Sequence, residues 1–292
     1  MNTPRSQRDA ADLAVITVSY GSGAVLEEFL RSLDGATTEN SVTVVVDNLP
    51  EGERGVAGVA AEHGAVYVPL PENPGYGGAV NRAVRALPPS IEWLLISNPD
   101  VVLGPASIDR LLAVARRERS VAAVGPLIRN SDGSVYPSAR SVPSLRAGTG
   151  HALFANVWPS NPWSRRYRSD ATDRGVRTDV GWLSGSCLLV NRARFDEIGG
   201  FDTGFFMYFE DVDLGYRLHR NGGLNIYEPA AAVVHTGAHA PRSSQTRMLA
   251  AHHESARRFI SKRYSSPILL PLRVVLRAGL RIREFVVTRK SS

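Results

Sequence analysis

The side chains best suited to chemistry lie in five short segments. Asn98-Pro99-Asp100 follows an apolar run that ends at Ser97. A carboxylate there suits a hard divalent cation bridging two phosphates, and the tripeptide equally fits a plain Asn-Pro turn. Phe209-Glu210-Asp211-Val212-Asp213 puts three carboxylates in five residues. At a helix start the dipole stabilises such charge, and Asp213 has Arg217 four residues on as a structural partner. Glu210 and Asp211 follow the aromatic run Phe205-Phe206-Met207-Tyr208-Phe209, which can bury a carboxylate and raise it towards the range of a useful base. His235 closes an apolar run through Val233-Val234. The stretch from Asn73 through Gly75, Gly77 and Gly78 to Asn81 reads as a glycine-rich turn entering a helix. Its glycines allow close backbone approach to a ligand and the helix start offers free N–H groups, but it is neither a Walker loop nor a dinucleotide fingerprint. Asp47 ends a further apolar run and, alone, reads equally as a cap or turn residue.

These segments need a scaffold, and the apolar pattern supplies one. Leu13–Ser19, 42–46, 66–69, 93–97 and 121–124 are short β-branched or apolar runs, with helical patterns over 24–33 and 108–117. Strands alternating with helices predict an α/β protein whose mostly parallel sheet is covered on both faces. Ligands of such sheets sit beyond the carboxyl ends of the strands, where Ser19-Tyr20, Asp47-Asn48 and Asn98-Pro99-Asp100 fall. Strands over 186–190 and 231–235 and helices over 210–220, 245–264 and 272–287 complete the pattern. Residues 1–12 are expected to be a disordered N-terminus, 13–240 one domain, and 241–292 a basic helical segment.

Composition narrows the class. The chain has 292 residues, with 43% hydrophobic and 21% charged side chains, ordinary values for a folded protein. A single cysteine, Cys187, excludes an intrachain disulfide and a Cys-rich zinc site. No run reaches the roughly 18 apolar residues of a membrane span, and the polar start lacks a signal-peptide core, so a cytoplasmic protein is expected. The net charge of +6 is unevenly spread: residues 242–292 carry twelve basic and two acidic side chains. Such a tail calls for an anionic partner.

Taken in order, Val18-Ser19-Tyr20, Val46-Asp47-Asn48, Asn73 to Asn81, Asn98-Pro99-Asp100, Gly199-Gly200-Phe201-Asp202 and Glu210-Asp211 resemble the motif series of glycosyltransferase family 2. The resemblance covers roughly residues 13–240 and is closest to the WbbL-type rhamnosyltransferases of actinobacterial cell-wall linker synthesis. It implies a GT-A fold with a Rossmann-like sheet and a metal-dependent, inverting transfer of a sugar, rhamnose from dTDP-rhamnose, to a polyprenyl-diphosphate-linked GlcNAc. Asp211 would be the base and Glu210 its support. Mg²⁺ or Mn²⁺ would be held by Asp100 and His235. Ser19, Tyr20, Asp47, Asn73, Gly75, Gly77, Gly78, Asn81, Asn98 and Asp100 would line the nucleotide-sugar site, with Trp182 and Gly185 on the sugar and acceptor side. Asp47 would accept a hydrogen bond from pyrimidine N3–H, a donor shared by thymine and uracil, so dTDP- and UDP-sugars both fit. The family motif departs at Asn98, where an acidic residue is usual, leaving metal binding to Asp100 and His235.

The implied partners are the nucleoside-diphosphate sugar, the polyprenyl-linked acceptor and an anionic membrane surface, with no nucleic acid. The implied location is the inner face of the plasma membrane. A wide apolar face over Leu272–Val287, with Arg273, Arg277, Arg281 and Glu284 on one stripe, fits a helix lying in the membrane interface, the alternative being a C-terminal helix packed on the core with its arginines solvated. Transfer from UDP-galactofuranose or another UDP-sugar is the alternative. A nucleotidyltransferase would need a basic glycine-rich loop after the first strand, which Tyr20-Gly21-Ser22-Gly23 does not supply. A non-catalytic glycan-binding protein would have no use for Glu210 and Asp211.

Overall fold

The computed structural model describes residues 11–50, 55–142, 175–237, 242–271, 273–276 and 278. Most of the expected helix over Leu272–Val287 lies outside them. In chain order, β1 (Leu13–Ser19), α1 (Gly23–Ala36), β2 (Ser41–Asp47), α2 (Val56–Glu62), β3 (Val66–Pro69), α3 (Gly75–Ala86) and β4 (Trp93–Ser97) alternate as the apolar runs predict. There follow β5 (Val101–Leu103), α4 (Ser107–Ala115), β6 (Val121–Asn130), β7 (Ala139–Arg140), β8 (Thr178–Val180), β9 (Trp182–Leu183) and β10 (Cys187–Asn191). The described chain then continues through α5 (Arg192–Glu197), α6 (Glu210–Arg220), β11 (Leu224–His235) and α7 (Arg242–Arg263) to a 3-10 turn at Pro267–Leu269.

The main sheet runs β3-β2-β1-β4-β10-β6-β11-β5, with β8 also on β11. β1, β2, β3 and β4 are parallel neighbours, as are β6 and β11. β10 is antiparallel to both β4 and β6, a reversal that an apolar run cannot announce. Alternate residues along a strand face opposite sides. Ala14, Ile16 and Val18 of β1 therefore join one core with Leu94 and Ile96, while Leu13 and Val15 join the other with Trp93 and Leu95. Truncating such a buried residue to alanine typically costs about 2–5 kcal/mol, so both faces hold the sheet. The body starts slightly before the expected residue 13: Ala11 is buried, and the Asp12 carbonyl accepts hydrogen bonds from the Glu92 and Trp93 amides.

β11 is much longer than the expected 231–235. Its first part pairs with β8 and its end with β5, and the register against β6 slips between Glu228 and Ala232. That irregularity separates the two partners along one edge. Residues 101–103 thereby become an antiparallel neighbour of His235.

Candidate active site

Three parallel strands end together. Ser19 pairs in register with Asp47, and Thr17 with Ser97, so Ser19-Tyr20, Asp47-Asn48 and Asn98-Pro99-Asp100 share one sheet edge. Asp47 is almost wholly buried; its carboxylate accepts from the Leu49 amide (3.0 Å) and from the Tyr67 hydroxyl (3.1 Å). Burial first, then Asp47, pushes that hydroxyl up to about 12, which keeps it a donor. Ser19 is buried and its hydroxyl oxygen accepts from the Ser22 amide (3.3 Å). Tyr20 stands in the open with 61% of its surface exposed, a free ring at the strand edge.

The glycine-rich segment makes close contacts with the protein itself. Asn73 (φ 42°) closes a turn by accepting the Gly75 amide on Oδ1 (3.2 Å). Gly75 has φ 77°, and a Cβ there would lie 2.3 Å from the Phe206 carbonyl oxygen. A Cβ on Gly77 would meet Phe201 at 2.7 Å, and one on Gly78 would meet Pro74 at 2.8 Å. Asn81 is buried, with Nδ2 donating to the Phe201 carbonyl (2.8 Å) and Oδ1 accepting the Phe201 amide (2.9 Å). The close approach seen here is to protein: Gly75, Gly77 and Asn81 lock α3 against the 199–206 turn.

That lock leads directly to the carboxylates. Glu210 and Asp211 open α6, right after Tyr208 and Phe209. Asp211 Oδ2 accepts the Gly185 amide (3.0 Å) and Oδ1 its neighbour's Val212 amide (2.8 Å). Glu210 is 8% exposed, and its Oε2 has no hydrogen-bond partner among the described residues. Burial, and then the Asp211 charge, raise Glu210 from 4.5 to about 8. Burial raises Asp211 as well, opposed by the backbone amides of Gly185, Val212 and Asp211 itself. Burial and the Asp211 charge thus favour the protonated form of Glu210, while the backbone amides favour charge on Asp211, the division a base needs.

Gly185 joins the site's parts. Its carbonyl accepts the Tyr76 hydroxyl (2.8 Å), and the neighbouring Ser186 carbonyl accepts the Asn98 amide (2.9 Å). Burial, followed by the charges of Glu210 and Asp211, lifts Tyr76 well above the ordinary tyrosine value, so it too remains a donor. Tyr76 carried no assigned role in the sequence, although it sits inside the glycine-rich segment. Trp182 is partly buried beside the start of α6. It packs with the cluster of Phe205, Val212 and Phe259, and Gly215 of α6 rests against its backbone.

The third part is an acid–imidazole pair. β5 and β11 align Val101 opposite His235, and Thr236 donates to the Asp100 carbonyl through its amide (2.9 Å) and hydroxyl (3.0 Å). Asp100 Oδ1 and His235 Nε2 then stand 3.1 Å apart, with only 14% and 18% of their side chains exposed. The Tyr136 ring lies edge-on to His235 at 5.8 Å, a neighbour that no sequence signal marks. The two side chains are in direct contact, and a carboxylate beside an imidazole is a donor set that would be able to hold a divalent cation such as Mg²⁺ or Mn²⁺. No group of three or more potential ligands occurs among the described residues. Phosphate oxygens and water would have to complete such a shell.

The Glu210 assignment has a thermal consequence. A carboxyl raised on folding contributes stability that is full below its ordinary value near 4.5 and is lost as pH rises to about 8. Glu210→Gln removes that loss. At pH 8 the variant without ligands should melt at least about 4 °C above the parent, about 2 kcal/mol or more, and the two should converge near pH 5. Calorimetry across that range checks it; a gap independent of pH contradicts a buried, protonated Glu210.

A family model described as "Glycosyltransferase like family 2" matches residues 10–255. The chain belongs to glycosyltransferase family 2. Along 96% of its length this glycosyltransferase is 44% identical to N-acetylglucosaminyl-diphospho-decaprenol L-rhamnosyltransferase of Mycobacterium tuberculosis, covering 94% of that protein. Rhamnosyltransferase WbbL of Escherichia coli is 27% identical over 85% of this chain and 92% of its own. Among solved structures, GalNAc-T7 with UDP, GalNAc and Mn²⁺ aligns over 86% of this glycosyltransferase and 48% of that chain, with TM-score 0.60 and 16% identity. The mannosyltransferase PcManGT of Pyrobaculum calidifontis with GDP-Man and Mn²⁺ aligns over 91% and 69%, with TM-score 0.58 and 17% identity. These likenesses give the fold, GT-A.

Proposed function

We propose that this glycosyltransferase moves rhamnose from dTDP-rhamnose to a polyprenyl-diphosphate-linked GlcNAc, with inversion at the anomeric carbon. The observation that carries the reading is the 44% identity, sustained over nearly the whole chain, to an enzyme named for that sugar and that lipid acceptor. The site chemistry supports it. Asp211 takes the proton of the acceptor hydroxyl. The freed oxygen attacks the anomeric carbon from the face opposite the diphosphate, and the bond from that carbon to the diphosphate oxygen breaks. Glu210, protonated, leaves the charge on Asp211. Asp47 would accept the thymine N3–H, and Ser19, Tyr20 and Asn98 lie on the same edge. When bound at Asp100 and His235, Mg²⁺ or Mn²⁺ would offset the charge developing on the leaving diphosphate.

The acceptor is anchored in a bilayer, and the protein has features for meeting one. No described helix is long and apolar enough to cross a membrane. Beyond α7, however, Ile268, Leu270, Val274 and Val275 are exposed, Ile268 at 88%, within the segment carrying twelve basic residues. Apolar side chains among arginines favour an anionic bilayer surface, so the proposed place of action is the inner face of the plasma membrane.

The test supplies purified protein with polyprenyl-diphosphate-GlcNAc in anionic vesicles and one donor at a time. Rhamnosylated lipid formed from dTDP-rhamnose is expected. Transfer only from UDP-galactofuranose or another UDP-sugar would overturn the rhamnosyl reading while leaving the transferase.

A further inference from the structure

The residues just before the base are held in an unusual shape. Tyr208 and Phe209 both have positive φ, 68° and 65°, a conformation that aromatic residues keep only where their surroundings enforce it. Helix α7 supplies much of that enforcement. The Ser255 hydroxyl donates to the Met207 carbonyl (2.8 Å), and Phe259 packs with Phe205 and Val212, its ring 5.7 Å from that of Phe209. Arg258 reaches Asp202 at 2.9 Å.

Lys262 completes the contact in a specific way. Its ammonium lies 2.7 Å from Asp202 and 2.7 Å from Asp213. Those two carboxylates bracket the segment that contains Tyr208, Phe209, Glu210 and Asp211. Burial would raise Asp202, yet Lys262, the Gly204 amide and Arg258 bring it down to about 2, so it stays charged for the contact. Asp213, only 1% exposed, is also held by Arg217 at 2.6 Å.

We propose that Lys262 is a positioning residue for transfer: its ammonium ties both ends of the base-bearing segment and so holds Asp211 against the Gly185 amide. The proposal rests on Asp211 as the base. It also gives α7 a role in catalysis apart from the charge of the tail. Lys262 makes its two contacts alongside Arg258 and Arg217, so each carboxylate keeps a cation when the lysine is lost. The fold should therefore survive where the geometry does not.

The test compares Lys262→Met and Lys262→Arg with the parent in kcat, in affinity for dTDP as probe, and in melting temperature. Lys262→Met should lower kcat at least about tenfold with dTDP affinity within about twofold, and Lys262→Arg should recover most of the loss. Asp202→Asn, which loosens the same tie from its other end, should repeat the split if the methionine variant folds poorly. Arg116→Met, which breaks the surface ion pairs to Asp12 and Glu39, should leave kcat unchanged. Unaltered kcat in folded Lys262→Met, or equal losses of kcat and dTDP affinity, would overturn the proposal. If Asp211→Asn is inactive while Lys262→Met turns over normally, Lys262 alone is misassigned; if Asp211→Asn turns over normally, the base assignment falls first.

Discussion

Asp211→Asn is expected to lower turnover at least ~100-fold, within the usual range for a lost general base, while dTDP binding survives. The carboxamide preserves the shape of the side chain but cannot accept the acceptor's proton. It also meets two backbone donors, the Gly185 and Val212 amides, with only one oxygen. Its NH₂ must turn towards one of them, so a modest loss of stability, about 1 kcal/mol, should accompany the kinetic effect. Single-turnover assays with saturating donor, beside calorimetric titration with dTDP, separate the two consequences. Turnover within tenfold of the parent would move the base elsewhere, and Glu210 would be the first alternative.

The second large effect concerns the acid–imidazole pair. Asp100→Ala removes the only carboxylate of the Asn98-Pro99-Asp100 turn and leaves His235 without its 3.1 Å partner. A fall of ~100-fold or more is expected, comparable to removing one electrostatic element that stabilises transition-state charge. His235→Ala should act in the same direction but less strongly, because the carboxylate remains. Both variants should need more Mg²⁺ or Mn²⁺ for half-maximal rate and should bind dTDP more weakly in the presence of metal. Chelator should abolish the parent's activity and added metal should restore it. Full activity in excess chelator would remove the metal role from both residues.

Much of this arrangement was legible in the residues. β1 and β4 are fully buried apolar runs, and a sheet covered on both faces leaves little else for such runs to be. The α6 start at Glu210 was visible as acids ahead of a helical pattern, and Asp213 pairs with Arg217 as their spacing predicts. What stayed hidden was the identity of partners far apart in the chain. Gly75 announces that something approaches its backbone closely, but not whether that is a phosphate or the Phe206 carbonyl. Only the family resemblance linked His235 with Asp100; no local pattern shows that β11 lays it beside that carboxylate, 135 residues earlier. Tyr76 looked like part of a turn until its hydroxyl met Gly185 across 109 residues. Lys262 looked like one more charge in a basic tail. Its value comes from lying between two acids on other elements, a property of packing rather than of local pattern.

The anomeric configuration of the product tests the reaction most directly. A base at Asp211 that activates the acceptor for a single displacement leaves no covalent sugar intermediate, so the new glycosidic bond must have the configuration opposite to the donor's. NMR of the glycolipid formed from whichever nucleotide sugar the protein accepts should show complete inversion. Retention of the donor's configuration would contradict Asp211 as the general base of a direct transfer.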